Sequence, residues 1–128
     1  MSVKYNIIQK SQPGVSGGGG KKYYASAQMT GIVDIEELTR DIEKISTVNG
    51  ADIRAVLYAL VDVAMHKLAD SNVVKLGDLG NLRITLKSNG LETPGSVNAT
   101  AIKGTRIRFY PGKKLKEMQK SLTYQKVK

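Results

Sequence analysis

The sequence predicts an α+β fold: two short strands, two helices, a hairpin with a long polar tip and a closing helix. Apolar residues recur every second position near the N-terminus, at helical spacing between residues 35 and 69, and every second position again afterwards. Polar residues able to cap a helix precede both helical stretches. With 128 residues and 41% hydrophobic composition, the chain can fill one ordinary core but not two.

Two N-terminal segments, residues 3–9 and 23–29, alternate apolar with polar side chains and are predicted to be strands. Residues 11–20 lie between them and include five glycines and two serines, which is typical of a flexible loop. We therefore expect residues 1–30 to form an N-terminal extension and residues 31–128 to form the main domain.

Asp34 predicts the start of the first helix, because its carboxylate can accept hydrogen bonds from free amides and Glu37 completes a capping box. An apolar stripe follows: Ile35, Leu38, Ile42 and Ile45. A second helix is expected from about residue 51 to residue 69, after a cap at Asn49. Its apolar residues cover more than one face. In a domain this small, such a helix is expected to bury its second face against another chain, so the sequence predicts a dimer.

From residue 74 the apolar period returns to two, interrupted by a turn at residues 77–80. This pattern predicts a hairpin whose polar tip covers residues 88–101 and whose returning strand carries Ile107 and Phe109. The final helix is predicted to begin at Pro111 and to contain three apolar residues: Leu115, Met118 and Leu122.

The net charge of +9 is unevenly distributed along the chain. Residues 1–30 carry +4, residues 31–72 carry −4 and residues 73–128 carry +9. A basic part joined to an acidic part indicates a polyanionic partner such as nucleic acid. The alternative is a solvated surface that serves solubility.

Several function classes are not supported by the sequence. No stretch approaches the roughly 20 apolar residues of a membrane-spanning helix, and no secretory pattern opens the chain, so we expect a cytoplasmic protein. The absence of Cys excludes disulfides and thiol chemistry. The single histidine, His66, is more typical of a surface or interface than of a catalytic base. Residues 17–22 lack the spacing of a phosphate-binding loop. We expect no enzymatic activity, metal, cofactor or small-molecule substrate.

Two motifs carry a family resemblance. Residues 74–84 read VKLGDLGNLRI and residues 109–116 read FYPGKKLK. They resemble the Gly-Phe-Gly turn and the Phe-x-Pro-Gly-Lys-x-Leu signature of the HU family of bacterial histone-like DNA-binding proteins, and residues 34–122 are similar to it in order and spacing. Residues 1–30 are similar to an extension found in one subfamily.

The resemblance implies an HU/IHF-like fold: two helices, a three-stranded antiparallel sheet with an extended hairpin arm, and a short C-terminal helix, plus the two N-terminal strands. It also implies an intertwined homodimer whose arms reach around double-stranded DNA along the minor groove and bend it. Such a protein would be associated with the nucleoid.

The arm of this chain departs from the family pattern. The family tip reads Arg-Asn-Pro-x-Thr-Gly, and its proline wedges between base steps. Here residues 91–95 read LETPG, and no Lys or Arg occurs from residue 88 to residue 102. Cations remain at the base of the arm and at the start of the last helix. The predicted DNA contacts are Arg83, Lys87, Pro94, Lys103, Arg106, Arg108, Lys113, Lys114 and Lys116.

Two functions compete at this point. The first is a non-enzymatic, sequence-nonspecific, architectural DNA-binding protein. The alternative is an HU-fold protein-interaction or scaffold module with weakened DNA affinity, which the uncharged arm and the pairing capacity of the N-terminal strands favour. For single residues the alternatives are a turn-forming proline at Pro94 and a solvated basic face at Arg106, Arg108, Lys113 and Lys114.

Overall fold

The computed structural model describes residues 1–12 and 14–127. Its elements are β1 (Ser2–Lys10), β2 (Lys22–Ala27), α1 (Ile35–Ile45), α2 (Gly50–Ala69), β3 (Val74–Lys75), β4 (Gly80–Ser88), β5 (Ile102–Pro111), α3 (Lys113–Ser121) and β6 (Thr123–Lys126). The predicted α+β class is confirmed, because the described residues form three α-helices and two three-stranded sheets. None of these helices has the length and apolarity needed to cross a membrane.

Two compact units make up the chain. We call Asp34–Glu117 the hairpin unit, and Met1–Val33 together with Met118–Lys128 the terminal unit. The strand order is β3-β4-β5 in one sheet and β2-β1-β6 in the other.

Both predicted caps of the first two helices are confirmed. The Asp34 carboxylate accepts a 3.0 Å hydrogen bond from the Glu37 amide at the start of α1. The Asn49 side chain accepts a 2.9 Å bond from the Asp52 amide at the start of α2. Each cap satisfies one of the amide groups that the first helical turn leaves without a partner, so the helix boundaries are set by local sequence.

The two helices are joined by a bidentate ion pair. Arg54 on α2 donates through Nε and Nη2 to the Glu36 carboxylate on α1, at 2.9 and 2.8 Å. These hydrogen bonds and the charge of Glu36 raise the pKa of Arg54 above its ordinary value.

Thr39 on α1 is buried, with only 2% of its surface exposed, and its hydroxyl donates a hydrogen bond to the Ile35 carbonyl at 2.7 Å.

The hairpin sheet is antiparallel throughout. β4 and β5 pair along their whole length, from Gly80 opposite Pro111 to Ser88 opposite Ile102, with an irregularity between Lys87 and Ser88. Beyond them the tip is closed by a 2.9 Å bond from the Asn89 amide to the Ala101 carbonyl.

Two glycines allow the turn before β4 to touch the junction between β5 and α3. A Cβ added at Gly80, whose φ is +145°, would lie 2.3 Å from the Tyr110 carbonyl oxygen. A Cβ added at Gly112 would lie 2.3 Å from the Asp78 carbonyl oxygen. The Gly112 amide donates to the Leu79 carbonyl at 2.9 Å. This close backbone contact fixes the start of α3 against the base of the hairpin.

The hairpin unit buries few apolar side chains. The buried ones within the described residues are Ile53, Ala64, Leu68 and Ala101. Larger apolar side chains on α2 and β5 stay open, including Val61 at 62%, Met65 at 57% and Ile107 at 67% exposure. An apolar cavity of about 560 Å³ lies between α2 and the sheet. One chain therefore leaves a broad apolar surface uncovered.

The terminal unit confirms both predicted N-terminal strands and adds one that was not predicted from the sequence. β1 pairs antiparallel with β2 and parallel with β6. The last helix was predicted to contain Leu122, which is wrong: α3 ends at Ser121. The chain becomes extended there because the Thr123 amide donates to the Met1 carbonyl at 3.2 Å and β6 joins β1.

The glycine-rich loop between β1 and β2 contains a short 3-10 turn at Ser16–Gly18. The Gln12 amide donates to the Gly18 carbonyl at 2.9 Å, and the Gln12 side chain donates to the Gly20 carbonyl at 2.7 Å. The predicted loop also includes Pro13, which lies outside the described residues.

Candidate nucleic-acid interface

The register of the β4–β5 hairpin places four cationic side chains on one face. Arg83 lies opposite Arg108, Thr85 opposite Arg106, and Lys87 opposite Gly104. Residues directly opposite in an antiparallel pair share a face, and the face changes at each step along the strand. We call Arg83, Lys87, Arg106 and Arg108 the cationic face.

The other side of the same hairpin is apolar. Leu82 lies opposite Phe109 and Ile84 opposite Ile107. Leu82, Ile84 and Ile107 line the cavity beneath α2. The alternation of side chains thus sends the apolar residues towards α2 and the cations to the opposite, solvent-facing side of the sheet.

The cationic face lacks acidic partners. The ion pairs within the described residues are Lys44–Asp41 and Arg54–Glu36, both on the helices. Arg83 instead lies over the Tyr110 ring, 5.1 Å from its centroid, and contacts the Asn81 side-chain oxygen at 3.5 Å. Like charges directly opposite in a sheet destabilise it, so the Arg83–Arg108 pair favours an external anion that neutralises both guanidinium groups.

The start of α3, which follows Tyr110 after Pro111 and Gly112, adds three exposed lysines: Lys113, Lys114 and Lys116. The first turn contains no acidic residue. The first hydrogen bond of the helix runs from the Lys116 amide to the Gly112 carbonyl at 3.0 Å. The preceding amides and the helix dipole favour an anion such as a phosphate at this end.

Lys103, one of the predicted contacts, is separated from the cationic face by a bulge. Lys87 pairs with Gly104 and Ser88 pairs with Ile102, which leaves Lys103 without a direct partner. It is also one position out of phase with Arg106 and Arg108 along β5. The structure therefore does not group Lys103 with the other four cations.

Pro94 is the first residue of a tight turn at the tip, Pro94–Ser96. The Val97 amide donates to the Pro94 carbonyl at 3.2 Å, and the hydroxyls of Thr93 and Ser96 are 2.9 Å apart. All residues from 91 to 100 are exposed. Pro94 thus stands at a solvated tip, beyond the last cation of the arm.

Tyr110 and Asn81 were not predicted from the sequence as site residues, although both share the side of the hairpin that carries the cations. Each lies two positions from an arginine of that face, so the alternation that selected Arg83 and Arg108 could have found them. Their side chains contact the Arg83 guanidinium.

The helices of the hairpin unit have the opposite charge. Residues 34–72 contain eight acidic and four basic residues, whereas the hairpin and α3 are basic. This polarity would orient a polyanion towards the cationic face. Within the described residues, no cluster of three or more His, Asp or Glu side chains could hold a metal ion.

Comparison with known families matches residues 1–126 to HU-HIG, described as an HU domain fused to a wHTH, Ig or glycine-rich motif. The chain belongs to the HU-HIG family. The sequence resemblance to HU proteins is thereby confirmed, and it covers both units of this HU-HIG chain.

Among solved structures, the HU-HIG chain is similar to a candidate bacterial DNA-binding protein from Bacteroides vulgatus ATCC 8482. The TM-score is 0.68 at 12% sequence identity, a likeness that shows the fold alone. The match covers 98% of the HU-HIG chain and 48% of the other, so this chain spans about half the length of that structure. A search of curated proteins finds no match.

Proposed function

We propose that the protein is a non-enzymatic, architectural DNA-binding protein that binds duplex DNA without sequence specificity. The observation that carries this proposal is the cationic face, where four Arg and Lys side chains share one side of a hairpin without an acidic partner among the described residues. Cations that neutralise phosphates supply the sequence-independent part of DNA affinity. Membership of a family built on an HU domain supports the same conclusion.

We propose an intertwined homodimer as the functional form. The support is the apolar surface that one chain leaves open. Val56, Val61 and Met65 on α2 are all more than half exposed, and Val61 and Met65 line the apolar cavity between α2 and the sheet. An exposed apolar surface of this extent marks an interaction site. A twofold partner would cover it and set two hairpins on one side of the assembly.

The nine predicted contacts take different parts in this proposal. Arg83, Lys87, Arg106 and Arg108 would hold phosphates at the body of the sheet, and the three lysines of α3 would extend that line. Pro94 would reach the minor groove and wedge between bases, which exchanges unstacking for a bend. Lys103 would contact phosphate from the bulge that lies between the cationic face and the arm tip. Acting on DNA in this way would place the protein on the nucleoid.

A salt titration tests the proposal. The logarithm of the DNA association constant should fall linearly with the logarithm of salt concentration, with a slope of about −0.9 per phosphate neutralised. Replacing Arg106 and Arg108 together by Ala should make the slope shallower by about 0.9 for each phosphate that the variant no longer neutralises. Fluorescence anisotropy of a labelled duplex of mixed sequence gives the constants.

The matched control is Arg40→Ala with Lys44→Ala, which removes the same charge from exposed positions on α1. Its slope should stay at the wild-type value. Equal slopes for wild type, Arg106→Ala/Arg108→Ala and the control would show that neither arginine neutralises a phosphate.

A scaffold module with weak DNA affinity is the second candidate. The observation that favours it is the exposed arm tip, where Glu92 is the only charged residue between residues 88 and 102. The same titration separates the two functions, because a scaffold module would show no measurable duplex binding even at about 50 mM salt.

A further inference from the structure

The terminal unit has an unusual charge composition. Residues 1–33 and 118–128 contain seven lysines and no Asp or Glu. No acidic side chain within this unit can neutralise them. This charge lies on different elements from the cationic face of the hairpin, so the proposed hairpin interface does not account for it.

The sheet register collects polar side chains of this unit on one side. We call Lys4, Asn6 and Lys10 of β1, Lys22 and Ser26 of β2, and Gln125 of β6 the lysine face. The pair Ile8 and Tyr24 lies on the same side, between the polar pairs. Lys10, Lys22 and Gln125 are exposed, whereas Lys4, Asn6 and Ser26 are half-buried. Their pairings place them together: Lys10 opposite Lys22, Asn6 opposite Ser26, and Lys4 opposite Gln125. The Lys4 ammonium donates a hydrogen bond to the Gln125 side-chain oxygen, which confirms that β1 and β6 share this side.

Two lysines of this face repel each other. Lys10 and Lys22 are exposed and directly opposite across β1 and β2. Like charges in that position destabilise a sheet unless an anion lies between them. The Lys10 ammonium lies 5.1 Å from the centroid of the Tyr24 ring, which attracts it without neutralising it.

The side-chain types of the lysine face match one ligand chemistry. Protein contacts to the DNA backbone come from Lys and Arg together with Ser, Asn and Gln, which donate hydrogen bonds to phosphate oxygens. Ammonium, hydroxyl and amide donors all occur here, and no carboxylate side chain of this unit would repel a phosphate.

We infer that the terminal unit is a second DNA-binding surface, which holds the phosphate backbone of duplex DNA on the lysine face. The inference rests on the proposed function, because it takes duplex DNA as the ligand, but it uses none of the residues of the hairpin interface. The two surfaces contribute separate terms to the salt dependence of binding.

The test is a salt titration of the full chain with Lys10→Gln and Lys22→Gln together. Glutamine keeps part of the aliphatic stem and removes the charge, and removal of a like-charge pair should not weaken the sheet. The slope should become shallower by about 0.9 for each phosphate that is no longer neutralised, whereas Arg40→Gln with Lys44→Gln should leave it unchanged. A slope equal to that of wild type would overturn the inference.

Comparison with Arg106→Ala/Arg108→Ala separates this inference from the hairpin proposal. If the salt slope becomes shallower only for the arginine variant, the lysine face is not a DNA contact and the hairpin proposal stands. If the salt slope becomes shallower only for the lysine variant, the inference stands and the hairpin assignment is wrong. An absence of duplex binding by wild type at about 50 mM salt would overturn both.

A footprint on the unaltered protein gives the same answer without a variant. Acetylation of lysines is followed by mass spectrometry, with and without duplex DNA. Lys10 and Lys22 should be protected by DNA relative to Lys44 on α1. Equal modification of Lys10 and Lys22 in both samples would overturn the inference.

Discussion

At the scale of single residues, the close contact between Gly112 and the Asp78 carbonyl determines where the basic start of α3 lies. Any side chain there would meet the Asp78 carbonyl, since a Cβ would approach its oxygen to 2.3 Å. Asp78 belongs to the turn before β4, so relief of the clash must move α3 away from the base of the hairpin. The predicted DNA contacts of α3 therefore depend on a residue that carries no charge.

We predict that Gly112→Ala lowers the free energy of unfolding by about 1–3 kcal/mol through overpacking. Urea denaturation at fixed protein concentration measures the change. Gly95→Ala is the control, because a Cβ at Gly95 meets no atom within 4 Å. Its effect should stay within about 0.5 kcal/mol. Equal stability of Gly112→Ala and wild type would show that the contact is not tight in solution.

The residues of the cationic face were predictable because strand alternation is local. Arg83 and Lys87 on β4, and Arg106 and Arg108 on β5, each follow the period of two that places the apolar residues on the other side. Lys103 is the exception: it is one position out of phase with Arg106 and Arg108, so alternation alone separates it from the cationic face, but its place in the pairing could not be predicted. Its position depends on the irregular pairing near Ser88 and Ile102, which lie on different strands.

At the scale of elements, helices with local caps were predictable and β6 was not. Asp34 and Asn49 mark the helix starts. Each accepts a hydrogen bond from an amide only three residues later in the chain. β6 is short and polar, and it exists because it pairs with β1, 121 residues away at Ser2 and Thr123. No pattern within residues 123–126 signals that long-range pairing.

The arm tip carries a prediction of its own, because Pro94 is the proposed wedge. If Pro94 unstacks a base step, Pro94→Ala should reduce the DNA bend by roughly 20° or more. Energy transfer between dyes at the ends of a duplex measures the bend. The salt slope should not change, because no charge is removed. An unchanged bend would assign Pro94 to the turn alone.

At the scale of the whole molecule, the open apolar surface is where the proposed twofold partner would bind. We predict that Val61→Asp lowers stability by about 3–5 kcal/mol, because the twofold interface would bury an unpaired carboxylate. Val61 is 62% exposed in one chain, so the same change in a solitary protein should cost no more than about 0.5 kcal/mol. Urea denaturation at several protein concentrations distinguishes the two results.

Sedimentation equilibrium, without DNA and with a short duplex, tests most directly whether two chains act together on one DNA. We predict a mass of twice 13.9 kDa for the protein alone and two chains on each duplex. A mass of 13.9 kDa that persists at high protein concentration, with one chain on each duplex, would contradict a twofold DNA-binding assembly.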